Sequence, residues 1–272
     1  MADVFQALMM LLVVAFFVTI VFKFIIEPTY VLFYNKPVYI HYYLRVRKIP
    51  VAQSDFLERN FSFYKKLSQK KKGYFNHRVA SFIKKYQFIG QAGFEVTEEV
   101  KLLVAATYVM LTFGMRHYRI NNFNKIIIYA ESYYSIITKQ YHKGEFNPAL
   151  KTLVFSWKDF EDGLRFENDN LNLGLHEFSH ALYFHGLKEN DQSSIVFADS
   201  YDKIIDYLKR PDILNELVES DYFRIYAYTN QAEFIAVVLE NFFETPLQFK
   251  QEHPELFTIV AAMINFEEKY FV

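Results

Sequence analysis

The sequence predicts an α+β fold, mostly helical with a small sheet, preceded by one N-terminal transmembrane helix. Three observations carry that expectation. Val4 to Phe22 is apolar except for Gln6 and Thr19, which is long enough for a helix to cross a bilayer. Two short β-rich runs, Lys125–Ala130 and Thr152–Trp157, stand in the middle of the chain. Around them lie long stretches whose apolar residues recur at helical spacing. The organisation that follows is an anchor over 1–28, a juxtamembrane linker over 29–56 and a single domain over 57–272.

The anchor is read as retained. MADVFQ carries no Lys or Arg, no small-x-small cleavage site follows, and the apolar run is longer than a signal peptide needs. Residues 4–26 are therefore expected in a lipid bilayer. Only Asp3 precedes the span, whereas Lys23, Lys36, Arg45, Arg47 and Lys48 follow it. Positive charge stays on the cytoplasmic side, so a single-pass protein with a cytoplasmic domain is expected. Residues 29–50 mix tyrosines with basic residues, as a short amphipathic linker at headgroup level does. Lys65, Lys66, Lys70, Lys71 and Lys72 read as the solvated face of a short helix near the membrane.

From Val96 the pattern is helical. Thr97 can cap, Glu98 and Glu99 suit the first turn, and Val100, Leu103, Val104, Thr107 and Leu111 share a face. Alternation is weak in Lys125–Ala130, which predicts a strand buried on both faces. Thr152–Trp157 is expected as an edge strand that could align an extended peptide. A polar loop, Glu161–Asn172, leads to the next helix. A long helical remainder follows, with Pro211, Pro246 and Pro254 at turns.

Composition narrows the chemistry. The 272 residues carry a formal charge of −1, which gives no reason to expect nucleic acid. There is no cysteine, so disulfides and thiolate ligands are excluded and a metal must rely on His, Asp and Glu. Leu173–Gly186, LGLHEFSHALYFHG, supplies them: His176, Glu177 and His180 form H-E-x-x-H. On a helix the two histidines lie one turn apart on one face and can hold one zinc ion, while Glu177 reaches a zinc-bound water as general base. The rest of this helix is apolar, so it should be buried, where His and Glu need a partner such as a metal. His185 falls one position short of the third metzincin histidine, and Tyr183 replaces the glycine that motif needs. The metzincin pattern fails, and His185 reads as a helix-end residue.

Zinc held by two histidines needs a third protein ligand and an open position. Tyr226–Pro246 offers two carboxylates, Glu233 and Glu240, on one face of an apolar helix. One is read as the metal ligand and the other as the partner that orients a histidine.

FSFYKKLS, RVASFIKKYQFIGQAGFEVTEEVKLLVAA, LHEFSHAL and YAYTNQAEFIAVVLENFFETPLQFKQEHPELF span roughly 57–257. In these segments the chain resembles the zinc peptidases of the Mlc titration factor A family, whose site is of the gluzincin type. The resemblance implies a gluzincin-like zinc peptidase domain acting on peptide or protein substrates, with aminopeptidase-type activity among the options. It implies His176, His180 and Glu233 as zinc ligands, Glu177 as catalytic base and Tyr226 as the group that polarises the carbonyl or its oxyanion. Glu240 is then the orienting partner. The family's name refers to sequestering a transcriptional repressor, which makes a repressor protein an implied partner. Two features depart from the family: Tyr183 stands where it usually has an aspartate, and its soluble bacterial members lack the N-terminal span.

Overall fold

A computed structural model of the chain describes residues 1–135, 139–166 and 168–267. The apolar run forms α1 (Ala2–Val21), which passes through a π-helical turn, Phe22–Ile26, into α2 (Glu27–Tyr34). Its apolar window is wholly exposed, as expected of a segment whose solvent is not water. Asn35 ends the helix in the left-handed region, at φ 47, a conformation that Asn tolerates better than most residues. Next come α3 (Val51–Asn60), α4 (Ser62–Lys65) and α5 (Gln69–Lys85). The lysine cluster lies on α4 and α5 and the turn between them: Lys65, Lys66 and Lys70 are exposed and Lys72 pairs with Glu58 at 2.8 Å.

The sheet is assembled from distant segments. β1 (Gln87–Gly90) leads through α6 (Glu98–Leu111) to β2 (Lys125–Tyr129). Thr97 caps α6 through the Val100 N–H. A small hairpin follows, β3 (Tyr133–Ser135) with β4 (Gln140–His142), and then β5 (Gly144–Asn147) and β6 (Thr152–Ser156). The four-stranded order is β1-β2-β6-β5, parallel except for β5, which runs antiparallel to β6.

Two expectations about these strands are corrected. Thr152–Ser156 is an interior strand between β2 and β5, and the edge is β5. It is also β6, not β2, that is buried at every position. In β2, Ile126 and Ile128 are fully buried whereas Lys125 is exposed, because only one of its faces is completely covered. The expected polar loop is shorter too: Glu161–Arg165 belongs to α7 (Trp157–Arg165), where Ser156 caps the first turn through the Asp159 N–H.

The remaining elements are α8 (Leu173–Gly186), α9 (Gln192–Leu208), α10 (Pro211–Glu219), a 3-10 turn at Ile225–Thr229, α11 (Gln231–Glu244), α12 (Pro246–Glu252) and α13 (Pro254–Met263). Pro211, Pro246 and Pro254 each open a helix, where a missing N–H costs nothing. α8 lies at the centre. Phe178 is fully buried, with Tyr108 of α6 at 5.1 Å, Phe155 of β6 at 5.4 Å and Phe82 of α5 at 6.0 Å between ring centroids. Burying such a ring contributes about 2–3 kcal/mol and fixes the rotation of α8 about its axis. The opposite side of α8 packs along α11.

Candidate metal centre

Rotation of α8 decides where its polar side chains go. With Leu175, Phe178, Ala181 and Leu182 in the core, His176 and His180 face α11. Asn172 caps the helix, accepting the Leu175 N–H at 3.0 Å, so the first turn is well defined. Asn230 caps α11 through the N–H groups of Ala232 and Glu233, which sets Glu233 in its first turn.

Three atoms then converge. His176 Nε2 lies 3.1 Å from His180 Nε2 and 3.1 Å from Glu233 Oε2, and His180 Nε2 lies 3.4 Å from the same oxygen. A tetrahedral zinc with bonds near 2.0–2.1 Å holds its ligand atoms about 3.3 Å apart, so the donor set fits such an ion. The side chains are only 12%, 12% and 14% exposed, and Glu233 Oε2 is buried with no donor hydrogen-bonded to it. A buried carboxylate oxygen in that position calls for a cation.

Around the trio a charged lattice is built. Glu240, about two turns further along α11, accepts from His176 Nδ1 at 2.7 Å. With that nitrogen donating, Nε2 presents its lone pair to the centre. The other Glu240 oxygen accepts the Asn172 N–H at 2.9 Å, which ties α11 to the cap of α8. Arg224 holds both oxygens of Glu240 and donates to the Asn170 carbonyl at 2.7 Å. Burial alone would lower the His176 pKa, but the close Glu233 carboxylate, the hydrogen bond to Glu240 and the surrounding carboxylate charge outweigh it and hold it up, at about 10. Burial would raise Glu233, yet the two histidines keep its carboxyl well below the usual range. Burial raises Glu177, and the histidine charges oppose that only in part.

Glu177 sits on the side of α8 that faces β5, and its room depends on Gly144. A Cβ at Gly144 would come within 2.6 Å of Glu177 Oε1 and 2.8 Å of its Cγ. The edge strand can therefore approach the carboxylate only because position 144 has no side chain. Tyr226, in the 3-10 turn, lies over the trio with its ring 6.2 Å from that of His176. Burial first, and then the charge of Glu233 and a hydrogen bond to it, push the Tyr226 hydroxyl up to about 12.

The residues singled out by sequence, His176, Glu177, His180, Tyr226, Glu233 and Glu240, thus meet in one place. Two others lie apart from it. His185 ends α8 with Nε2 3.3 Å from Asp191, which caps α9. The Tyr183 hydroxyl lies 3.5 Å from that of Tyr201, which in turn donates to Gln231 at 2.6 Å. Sequence reasoning missed Arg224, Asn172 and Gly144. A buried Glu240 on an apolar helix does call for a cation, but spacing cannot single out Arg224. Asn172 was the legible one, a cap residue directly before an apolar helical run.

A family model described as glucose-regulated metallo-peptidase M90 matches residues 39–264, more than four-fifths of the chain. The chain belongs to that family. It is the one that the sequence resembles, and all six converging residues lie within the matched segment. As an M90 member the chain is metallopeptidase-like, and the His176, His180 and Glu233 trio is its candidate metal site. The chain is also similar to an uncharacterized protein of Synechocystis sp., 25% identical over 240 residues, covering 79% of this chain and 83% of the relative.

Proposed function

We propose that this M90 chain is a membrane-anchored zinc metallopeptidase, with His176, His180 and Glu233 as ligands. The observation that carries the reading is the spacing of three buried ligand atoms, 3.1–3.4 Å apart, with Glu177 beside them. A bound zinc ion supplies Lewis acidity, lowering the pKa of a water towards about 7 and polarising the scissile carbonyl.

The chain's own residues do the rest. Glu177 takes the proton of the attacking water and passes it to the leaving amine. Its raised pKa suits a group that holds a proton between two steps. Tyr226, kept protonated to about pH 12, donates to the developing oxyanion. Glu240 and Arg224 keep His176 in orientation and tautomer. The substrate is an extended peptide laid along β5. The N–H and C=O groups of Gly144 and Phe146 point outward there, since Lys143 and Ser156 pair inward.

Residues 4–26 anchor the chain in a bilayer as a single pass, and the basic flank after the span keeps the peptidase domain cytoplasmic. The test uses the full-length chain, with metal content and hydrolysis of a peptide library measured together. One zinc per chain is expected, lost in His180→Ala and Glu233→Ala. Hydrolysis should vanish on chelation and return with added zinc. A zinc-loaded chain that cleaves no peptide would sink the peptidase reading.

A further inference from the structure

Phe22 lies near the end of the apolar run, one helical turn short of Ile26, close to the boundary of the hydrocarbon core. The chain leaves that level in α2 and then returns to it. Beyond the Asn35 cap it doubles back, and the Tyr39 ring stacks on Phe22 at 6.4 Å, with Tyr42 5.9 Å from Tyr39. The return is fastened to the domain. The Arg116 guanidinium lies 3.9 Å over the Tyr39 ring and pairs with Glu27, which is buried and also accepts from Gln192 at 3.2 Å.

The segment that follows alternates. Inward, His41 stacks on Tyr74 of α5 at 4.6 Å, and Tyr43 accepts from Arg78 at 2.7 Å. Outward, Tyr42 is 68% and Leu44 90% exposed, followed by exposed Arg45, Arg47 and Lys48. No acidic residue occurs between Glu27 and Asp55. A large exposed leucine and tyrosine framed by cations that have no ion pair among the described residues fit the surface of an anionic bilayer, with the side chains at the acyl boundary and the cations among the phosphates.

We propose that residues 39–48 are a second membrane contact, a docked strap that binds anionic phospholipid and seats the domain against the bilayer. The inference rests on the reading of residues 4–26 as an anchor. Two points of attachment fix which face of the domain meets the membrane, so the domain does not swing on a tether. The three strap cations are drawn to an anionic surface, and that attraction weakens as salt rises.

The chain has no native cysteine, so one label reports cleanly. A nitroxide on Leu44→Cys is placed in the full-length chain, reconstituted in vesicles of phosphatidylcholine with three-tenths phosphatidylglycerol. Power saturation should show severalfold less access to an aqueous nickel relaxant, and more to oxygen, than the same label at Asp206→Cys. Protection should fall in pure phosphatidylcholine and in the triple variant Arg45→Gln, Arg47→Gln, Lys48→Gln. Flotation with the vesicles tests the anchor separately. A chain that floats while Leu44→Cys stays as open as Asp206→Cys overturns the strap, including in favour of an acidic protein partner. A chain that does not float overturns the anchor and the strap together.

Discussion

Glu177 and Glu240 both have buried carboxylates, and their surroundings give them different work. Glu240 commits both oxygens to donors from His176, Asn172 and Arg224, so it is fixed in place. Glu177 meets the bare backbone of Gly144, and burial raises its pKa. Glu177→Gln is therefore expected to keep its zinc and to lose kcat by about 10²–10⁴, the usual worth of a positioned general base. Metal content and turnover on the same preparation check this; an unchanged kcat removes Glu177 from the mechanism. Glu240→Gln weakens the grip on His176 Nδ1 and should lower zinc affinity about 10–100-fold, read by competition with a chelating dye. Equal affinity would mean that α8 alone orients His176.

At the scale of elements, the two helices of the site were legible and the strand beside it was not. α8 announces itself through its apolar periodicity and H-E-x-x-H, and α11 through carboxylates set in an apolar helix. β5 reads Gly-Glu-Phe-Asn, with no β-branched residue, and becomes a strand only because β6 offers it a ladder. The same blindness made β6 look like an edge: a run of apolar residues does not reveal how many neighbours it has. Placing the edge at β5 makes a sharper prediction. Phe146 pairs with Leu153 in a non-hydrogen-bonded register, so its N–H points away from β6. Proline is tolerated there while removing one outward donor. Phe146→Pro also gives up the ring contact with Phe184 of α8, so zinc content and Tm are measured beside it; KM for extended peptides should rise several-fold, with less effect on very short ones. Identical loss for long and short peptides would count against pairing along β5.

The whole molecule carries a buried acid that the metal centre does not use. Glu244 ends α11, and burial, reinforced by the charges of Glu240 and Asp169 and only partly offset by the Asn172 amide, pushes its carboxyl up to about 8 from an ordinary 4.5. Below pH 4.5 the group is protonated in both folded and unfolded chains and contributes no pH dependence. Between 4.5 and 8 the folded state keeps a proton that the unfolded state has released, so stability falls as pH rises, by at most about 1.4 kcal/mol per unit. Above 8 both states are ionised and the cost is constant. Glu244→Gln removes this dependence, because its neutral amide fills nearly the same volume at every pH. The difference in Tm between variant and native chain should be near its minimum at pH 4, grow in favour of the variant up to pH 8, and level off beyond. Thermal unfolding of both chains across that range decides it, and a difference that does not change with pH would show that Glu244 ionises freely in the folded protein.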